Sequence, residues 1–484
     1  MSLPGNKTKI ICTLGPVSSD VETIGKMIRA GMNIARINMS HGDFKSHRRL
    51  VQNLRKTAGE LGAHLTILAD LPGPKIRIGL LAEEPFNLKP GDHITLTTED
   101  IVGGPARVSV SFKELPHAVK PGDTIFLNDG IIQLEIETAV STNVFCRVIV
   151  GGELRSRKGL NLPNIDIGVS AFTENDRECL AFAMEERIEA VSQSFVESAS
   201  DITAVREAAR VLGKKPFIIA KIERANAFQR IDEIIEAADG IMIARGDLGV
   251  ETPIERIALL QKEITKKANL AGKPVITATQ MLESMTTNPR PTRAEATDVA
   301  NAILDGTDCV MLSEESATGR YPVEAVSMLT KIACAVEPFN HGYMRTAGQT
   351  LPDIPHGMSI GNLVSRAAET IVEHREVAVA MIPTRGGSTA RSLTRARLPI
   401  WIAAVSSSEA TFHELQFSYG VYPVMEGNLP VDWTKYVKEW AGNHGIAGRF
   451  AVLIEGPSPD NPAANHKLEI VDLEPNVSGQ PGRY

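Results

Sequence analysis

Cysteine is scarce in this 484-residue chain, with five, at positions 12, 146, 179, 309 and 334. No two stand in a Cys-x-x-Cys spacing, which excludes a zinc ribbon or a thioredoxin-type motif. So sparse and odd a count argues for a reducing compartment. Long apolar runs are missing too: no stretch approaches the roughly 18 uncharged apolar residues of a membrane span. The opening residues, Met-Ser-Leu-Pro-Gly-Asn-Lys-Thr-Lys, carry no apolar core for a secretory signal. The expected location is the cytoplasm. Nor is there an excess of positive charge, since Lys+Arg 51 against Asp+Glu 58 gives −7. Non-specific nucleic-acid binding needs a basic surface, so neither nucleic acid nor membrane is an expected partner. Familiar phosphate and metal motifs are also lacking. The string nearest to a Walker A loop, Gly272-Lys273-Pro274, has neither the Ser/Thr nor the second Gly. There is no protein-kinase signature set and no His-Glu-x-x-His. A bound nucleotide would have to be held some other way.

What the chain does contain is 43% hydrophobic and 23% charged residues, the mix of a folded globular protein. At roughly 150 residues per domain, about three domains are expected. Short β-branched runs occur at Thr8–Leu14, Ile34–Met39, Leu65–Leu71, Ala190–Phe195, Phe217–Ile222, Gly240–Ala244, Pro274–Thr279 and Cys309–Leu312. Amphipathic stretches alternate with them, including Val21–Ala30, Thr173–Arg187, Ser200–Leu212, Ala225–Ala238, Pro253–Ala271 and Arg293–Leu304. Gly31, Gly213, Gly272 and Gly306 punctuate helix ends. Eight strands alternating with helices predict a (β/α)8 TIM barrel. A doubly wound sheet is the alternative, but no Gly-x-Gly-x-x-Gly opens a helix after the first strand.

The alternation breaks after the third run. From Leu71 to Asp166 there are Pro-Gly-Asp turns (90–92 and 121–123) and short alternating strands such as His93–Thr97 and Ile131–Glu137. This reads as an all-β lid inserted on the face where barrels do chemistry, placed to exclude water. From His341 onward, strands at Val377–Ile382, Ile400–Val405, Val421–Met425 and Phe450–Ile454 alternate with helices near Ser359–His374, Gly387–Arg397 and Trp433–Asn443. The expected division is a barrel of residues 1–70 and 167–340, a lid of 71–166 and a C-terminal α/β domain of 341–484.

In such a barrel the reactive groups come from the C-terminal strand ends. Those ends offer Arg36, Asn38, Ser40 and His41, then Asp70, then Lys221 and Glu223. Further along come Arg245, Gly246 and Asp247, Thr279 and Gln280, and Ser313, Glu314 and Glu315. Glu223 and Asp247 lie on neighbouring ends. Two carboxylates with room for water suit Mg²⁺; the competing reading ties Asp247 to Arg245. Lys221 adds a fixed cation where charge develops. Arg36 sits in the apolar frame Ile34-Ala35-Arg36-Ile37, where a buried guanidinium demands a carboxylate or phosphate. Thr279 fits a strand by propensity alone, and His41 reads equally as a helix-cap or surface histidine.

Several blocks are more specific than this. Lys7–Pro16 (KTKIICTLGP), Ala30–Gly42 (AGMNIARINMSHG), Ile218–Glu223 (IIAKIE), Gly240–Glu251 (GIMIARGDLGVE), Gly272–Met285 (GKPVITATQMLESM) and Pro291–Leu312 (PTRAEATDVANAILDGTDCVML) resemble the pyruvate kinase family, as does Lys158–Pro163 (KGLNLP) in the lid. The resemblance spans the barrel; the C-terminal domain matches more in architecture than in sequence. It implies phosphoryl transfer from phosphoenolpyruvate to ADP, giving pyruvate and ATP, the last step of glycolysis. It implies that Lys221 stabilises the transferring phosphoryl and Arg36 grips the phosphate. Thr279 would lie near the enolate carbon, with Gly246 and Asp247 also touching substrate. Glu223 and Asp247 would hold Mg²⁺ or Mn²⁺. Asn38, Met39, Ser40, His41, Arg77 and Lys158 would contact nucleotide phosphates. A homotetramer with a sugar-phosphate effector is usual for the family.

Departures from the family pattern carry expectations of their own. The family's potassium site corresponds to Asn38, Ser40, Asp70 and the Leu71 carbonyl, with Leu71 in place of a Thr. Potassium-dependent members carry Glu where this chain has Lys75, so the Lys75 ammonium is expected to replace K⁺. The other reading has Lys75 facing solvent at the lid hinge. At strand eight, Glu314 adds a charge of no evident purpose. Thr384-Arg385-Gly386-Gly387-Ser388-Thr389 lies between a strand and a helix, as a phosphate nest would, and equally as an ordinary Gly-rich turn. Two other functions fit parts of the sequence: a metal-dependent aldolase or lyase acting on pyruvate or oxaloacetate, and a catalytically silent sugar-phosphate sensor. The lid cations Arg77 and Lys158 count against the first, and the intact set Arg36, Lys221, Glu223, Asp247 and Thr279 against the second.

Overall fold

The computed structural model describes residues 3–163, 165, 168, 170–346, 360–457 and 465–474, leaving aside the side chains of 341–346. Eight parallel strands close a barrel in chain order: β1 Lys9–Leu14, β2 Ile34–Asn38, β3 Thr66–Leu71, β4 Ala190–Gln193, β5 Phe217–Ile222, β6 Gly240–Ala244, β7 Val275–Ala278 and β8 Cys309–Leu312. β1 pairs with both β2 and β8, which closes the ring. These strands are buried on both faces, which is why they read as continuous apolar runs. Alternate residues still part company. Ile11, Ile34, Leu68, Ile219, Met242, Ile276 and Met311 form one cluster, whereas Ile10, Ala35, Ile67, Ile218 and Ile241 join the larger core with the helices.

Several helices start at side-chain caps. Asp43–Ser46, Thr173–Asp176 and Thr292–Glu295 each make a capping box, satisfying N–H groups that the helix leaves unpaired. Two expected helices differ in detail. The stretch 225–238 is two helices, Ala225–Gln229 and Ile231–Ala237, because Arg230 leaves helical geometry (φ −114, ψ 18). The stretch 253–271 opens with a 3-10 turn, Ile254–Arg256, where Pro253 (φ −52) precedes the α-helix Ile257–Leu270.

Between β3 and the helix Glu174–Glu185, a six-stranded sheet has its own core, including Ile94, Leu96, Val108, Leu134 and Val148. Two matching turns shape it. Gly91 and Gly122 both have φ 90, and the Asp92 and Asp123 carboxylates accept the Lys89 and Lys120 N–H groups at 2.8 and 2.9 Å. The helix Pro322–Thr346 then runs past His341, so the expected boundary at 340/341 falls inside it. The expected boundary at 166/167, and the chain beyond Glu474, lie outside the described residues. The C-terminal region is a five-stranded sheet ordered Val421–Met425, Trp401–Ser406, Val377–Pro383, Phe450–Glu455 and Lys467–Asp472. The last strand, antiparallel at one edge, had no expectation in the sequence. The architecture is thus a (β/α)8 barrel with an inserted all-β lid and a C-terminal α/β domain, as expected. Among the described residues, no helix is long and apolar enough to cross a membrane.

Candidate active site

The C-terminal strand ends and the lid's first residues enclose a cleft of about 140 Å³. β2 and β3 run in register, Arg36 opposite Leu68 and Asn38 opposite Asp70. Arg36 points inward and is buried. Its Nη1 donates to Thr13 Oγ1 at 2.7 Å, its Nε to Asp70 Oδ2 at 3.2 Å, and its Nη2 to the same oxygen. The anion that an apolar strand demanded for this guanidinium is therefore Asp70. Asp70 also accepts from Ser192 Oγ at 2.6 Å and from Lys221 Nζ at 3.3 Å. Burial alone would raise its carboxyl, but Arg36 and Lys221 hold it down at about 2.

Lys221 projects from β5 into the same cluster. Its Nζ meets Ser194 Oγ at 2.7 Å, Glu223 Oε1 at 2.9 Å and Asp70 at 3.3 Å. Burial works against the ammonium, yet Asp70 and Glu223 outweigh it and raise its pKa. Glu223, 2% exposed, also accepts the Phe195 N–H at 2.8 Å. Burial raises its carboxyl, Lys221 opposes that, and the charge of Asp247 adds to it.

Asp247 is not tied to Arg245. Arg245 binds Asp298 at 2.7 Å and the carbonyls of Ala278 and Thr279 at 3.2 and 2.8 Å. Asp247 faces Lys75 Nζ at 3.3 Å instead, with the two side chains 22% and 28% exposed. Lys75 thus stands in the cleft wall. Thr279 has φ 67 and Gln280 φ 53, a left-handed turn that is costly for a β-branched residue. The Thr279 hydroxyl accepts the Gly246 N–H at 2.8 Å and donates to the Ala278 carbonyl at 2.6 Å. His41 lies among cations: burial, then Arg77, Arg36 and Lys75, push its imidazole pKa down.

Of the expected residues, Arg36, Asn38, Ser40, His41, Asp70 and Lys75 line the cleft, with Arg77, Lys221, Glu223, Asp247 and Thr279. Others do not. Met39 is buried with its N–H on the Asp70 carbonyl at 3.1 Å. Gly246 sits behind Thr279. Lys158 lies on the lid, where its carbonyl receives the Ile78 N–H at 3.0 Å. The Leu71 carbonyl accepts from Ser194 Oγ at 2.7 Å. Glu315 is buried and ties Leu282 to Ser313 through their N–H groups at 3.0 and 2.7 Å, while Glu314 is exposed. Thr384–Thr389 belongs to the C-terminal sheet's loops, away from the cleft wall. There Thr384 Oγ1 accepts the Gly387 N–H at 3.0 Å, and Arg391 caps the Gly386 carbonyl at 2.6 Å. Thr13, Ser192, Ser194 and Phe195 had no expectation attached. The signal was available, because they end β1 and β4, the two strand ends left unread.

The donor set suits a hard divalent cation. Glu223 and Asp247 share the cleft, and no group of three or more His, Cys, Asp or Glu that could hold a metal occurs among the described residues. Two carboxylates leave places for water and phosphate oxygens around a divalent ion.

Comparison with known proteins agrees with this geometry. Residues 5–326 match the family model described as pyruvate kinase, barrel domain, and residues 362–456 the one described as pyruvate kinase, alpha/beta domain. The chain belongs to the pyruvate kinase family. The pyruvate kinase of Thermococcus litoralis is 48% identical over 425 residues, covering 87% of this chain and 89% of that one. That of Bacillus licheniformis is 41% identical over 421 residues, covering 86% and 71%. The crystal structure of a pyruvate kinase from Cryptosporidium parvum superposes with a TM-score of 0.89 at 31% identity, covering 97% of each chain. Pyruvate kinases are phosphotransferases that convert phosphoenolpyruvate and ADP to pyruvate and ATP with a divalent metal, and that is the activity of this chain.

Proposed function

We propose a division of labour within the cleft. The observation that carries it is the convergence of Arg36 and Lys221, two fixed cations, with Glu223 and Asp247, two chelating carboxylates, on one wall. Phosphoryl transfer runs through a loose transition state whose charge spreads over the equatorial oxygens, so positioning and positive charge matter more than covalent chemistry. Arg36 grips the phosphate of phosphoenolpyruvate. Lys221 faces the transferring group as a donor. Glu223 and Asp247 hold Mg²⁺ or Mn²⁺, and a bound ion supplies Lewis-acid neutralisation of phosphoryl oxygens. Asp247 and Thr279 frame the remainder of the substrate, with the Gly246 N–H holding the Thr279 hydroxyl from behind. The Thr279 hydroxyl stands where the enolate carbon takes its proton, directly or through a water. Asn38, Ser40, His41 and Arg77 serve the nucleotide side; Lys158 joins them when the lid closes.

The test is pyruvate formation from phosphoenolpyruvate with and without ADP and Mg²⁺. We expect both to be required, and Lys221→Met to lower kcat by about 10³-fold. Turnover that needs no ADP would refute the assignment.

Lys75 stands in for the monovalent cation. Its ammonium lies beside Asp247, Asp70 is already shared by Arg36 and Lys221, and the Leu71 carbonyl is taken by Ser194. Initial rates in tetramethylammonium buffer should change less than about twofold on adding KCl, whereas Lys75→Glu should create a K⁺ requirement. Strong activation of the unmodified chain by K⁺ would remove the idea.

Two finer readings complete the proposal. Exposed Ile254 and Leu259, 73% and 65% accessible, favour self-association into a homotetramer; light scattering from a monomer would exclude it. The Thr384–Thr389 loop takes a sugar phosphate. Equal binding of phosphosugars to the unmodified chain and Ser388→Ala would exclude that loop.

A further inference from the structure

The corner that follows β4 does more than end a strand. Ser194 is 3% exposed and lines the cleft. Its hydroxyl makes two contacts of 2.7 Å, one to the Leu71 carbonyl and one to Lys221 Nζ. A hydroxyl has one proton. A carbonyl only accepts, so that proton goes to Leu71. Toward Lys221, Ser194 is left with a lone pair and only accepts. The next residue, Phe195, has φ 56, a left-handed conformation that a bulky residue adopts at a cost of about 1–3 kcal/mol. This turn aims the Phe195 N–H at Glu223 Oε2, 2.8 Å away. Gly73 packs beneath the corner: a Cβ there would stand 2.9 Å from the Phe195 ring and 3.0 Å from Ser194 Cβ. Lid hinge, β4 corner and β5 lysine are therefore in direct contact.

Lys221 has three N–H bonds and three acceptors, Ser194, Glu223 and Asp70. Two of them are carboxylates that draw the ammonium toward themselves. Asp70 is also claimed by Arg36 and Ser192, and Glu223 faces the place of a divalent ion. Ser194 is the neutral acceptor. It fixes the nitrogen without cancelling its charge.

We propose that Ser194 is a positioning residue for Lys221, holding its ammonium off the flanking carboxylates so that its charge stays directed into the cleft. The proposal rests on the reading that Lys221 faces the transferring phosphoryl. Without Ser194, Nζ settles onto Glu223. The ammonium then contributes less field to the transition state and competes for the carboxylate that chelates the metal.

The test combines kinetics with metal binding. Ser194→Ala should lower kcat by about tenfold or more and leave KM for phosphoenolpyruvate within about threefold. Mn²⁺ binding to the substrate-free protein, followed by electron paramagnetic resonance, should weaken at least about threefold. In a Lys221→Met background, Ser194→Ala should do nothing further, because residues that act as a unit are non-additive. If the alanine variant does not fold, Ser194→Cys, of similar size but a weak acceptor, takes its place. A kcat and Mn²⁺ affinity both within about twofold of the unmodified chain would overturn the proposal. So would a full further loss in the Lys221→Met background, which would mean that Ser194 acts elsewhere. The underlying reading fails separately: it falls if Lys221→Met by itself keeps its kcat.

Discussion

Two buried arginine–aspartate pairs sit at opposite ends of the barrel, and they do different things. Arg36 and Asp70 meet at the C-terminal mouth, Arg397 and Asp308 at the base. At the base the match is nearly complete, with Arg397 Nε left without a partner among the described residues. Arg397 Nη1 and Nη2 reach Asp308 at 2.9 and 3.1 Å, Asn269 at 2.8 Å and the Gly306 carbonyl, with the Tyr419 ring 4.9 Å from the guanidinium. Asp308 spends its remaining capacity on the N–H groups of Tyr419 and Val275, both at 2.9 Å. One cation faces one anion. The mouth is different. Asp70 is shared by two cations, and the cleft wall carries Arg36, Lys75, Arg77 and Lys221 against Asp70, Glu223 and Asp247. Four positive groups meet three negative ones, and burial and the neighbouring cations push the His41 pKa down. Burial of an ion pair therefore does not mark function. A surplus of charge left facing open space does.

The sharpest way to break this comparison is to remove each arginine in turn. Arg36→Met should lower kcat by about 10³-fold or more. Its stability should fall only modestly, since Lys221 and Ser192 still serve Asp70. Arg397→Met should do the reverse. It leaves Asp308 buried without its partner, a loss of roughly 3–5 kcal/mol, while kcat per folded molecule stays within about threefold. Calorimetric melting and active-site titration on both variants check this. An Arg397→Met variant as stable as the parent, or an active Arg36→Met, would show that the two ends are not divided in this way.

The two ends also differ in how far the sequence reveals them. Arg36 betrays itself because it interrupts an apolar strand, and β-strands buried on both faces make such interruptions visible. Lys221, Glu223, Asp247 and Thr279 follow from the rule that barrel strands end in chemistry. The same rule would have found Ser192 and Ser194, had the end of β4 been read. Lys75 was legible as an odd residue in a known motif. Its contact with Asp247, 172 positions away, needed coordinates. Arg397 had no signal at all. It follows Arg391 and Arg395 in a string that reads as a polar helix end, but the helix stops at Thr394. Arg397 then adopts φ 46, which turns it into the barrel base. Pattern reports which face of a regular element is apolar; it is silent once the backbone leaves the element. Arg230, which splits an expected helix, was missed for the same reason.

Two buried lysines extend the comparison to pH. Lys221 at the mouth has Glu223 and Asp70 in reach, and they raise its pKa against the cost of burial. Lys9 at the base, 4% exposed, donates to the Val421 carbonyl at 2.6 Å and lies 5.3 Å from the Trp401 ring, but touches no carboxylate among the described residues. Asp308 is committed to Arg397, and Glu337 to the N–H groups of Lys7 and Thr8. Burial therefore prevails over the distant help of Cys309, Glu337 and Asp308, and the Lys9 ammonium is pulled down to about 8. Unfolded, it would titrate near 10.5. Between these values the unfolded chain binds the extra proton, so stability from this group rises with pH. Below pH 8 both states are protonated and the burial cost is felt in full. Above about 10.5 the cost is gone. The span corresponds to on the order of 3 kcal/mol. Replacing Lys9 by Met should remove this slope, so the stability gap between variant and parent should narrow steadily as urea midpoints are measured from pH 7.5 to 10. A gap that stays constant across that window would mean that Lys9 keeps its proton in the folded state. The base would then hold an uncompensated ammonium at no more cost than the mouth holds a compensated one, and the cost of unpaired charge would no longer separate the two ends of the barrel.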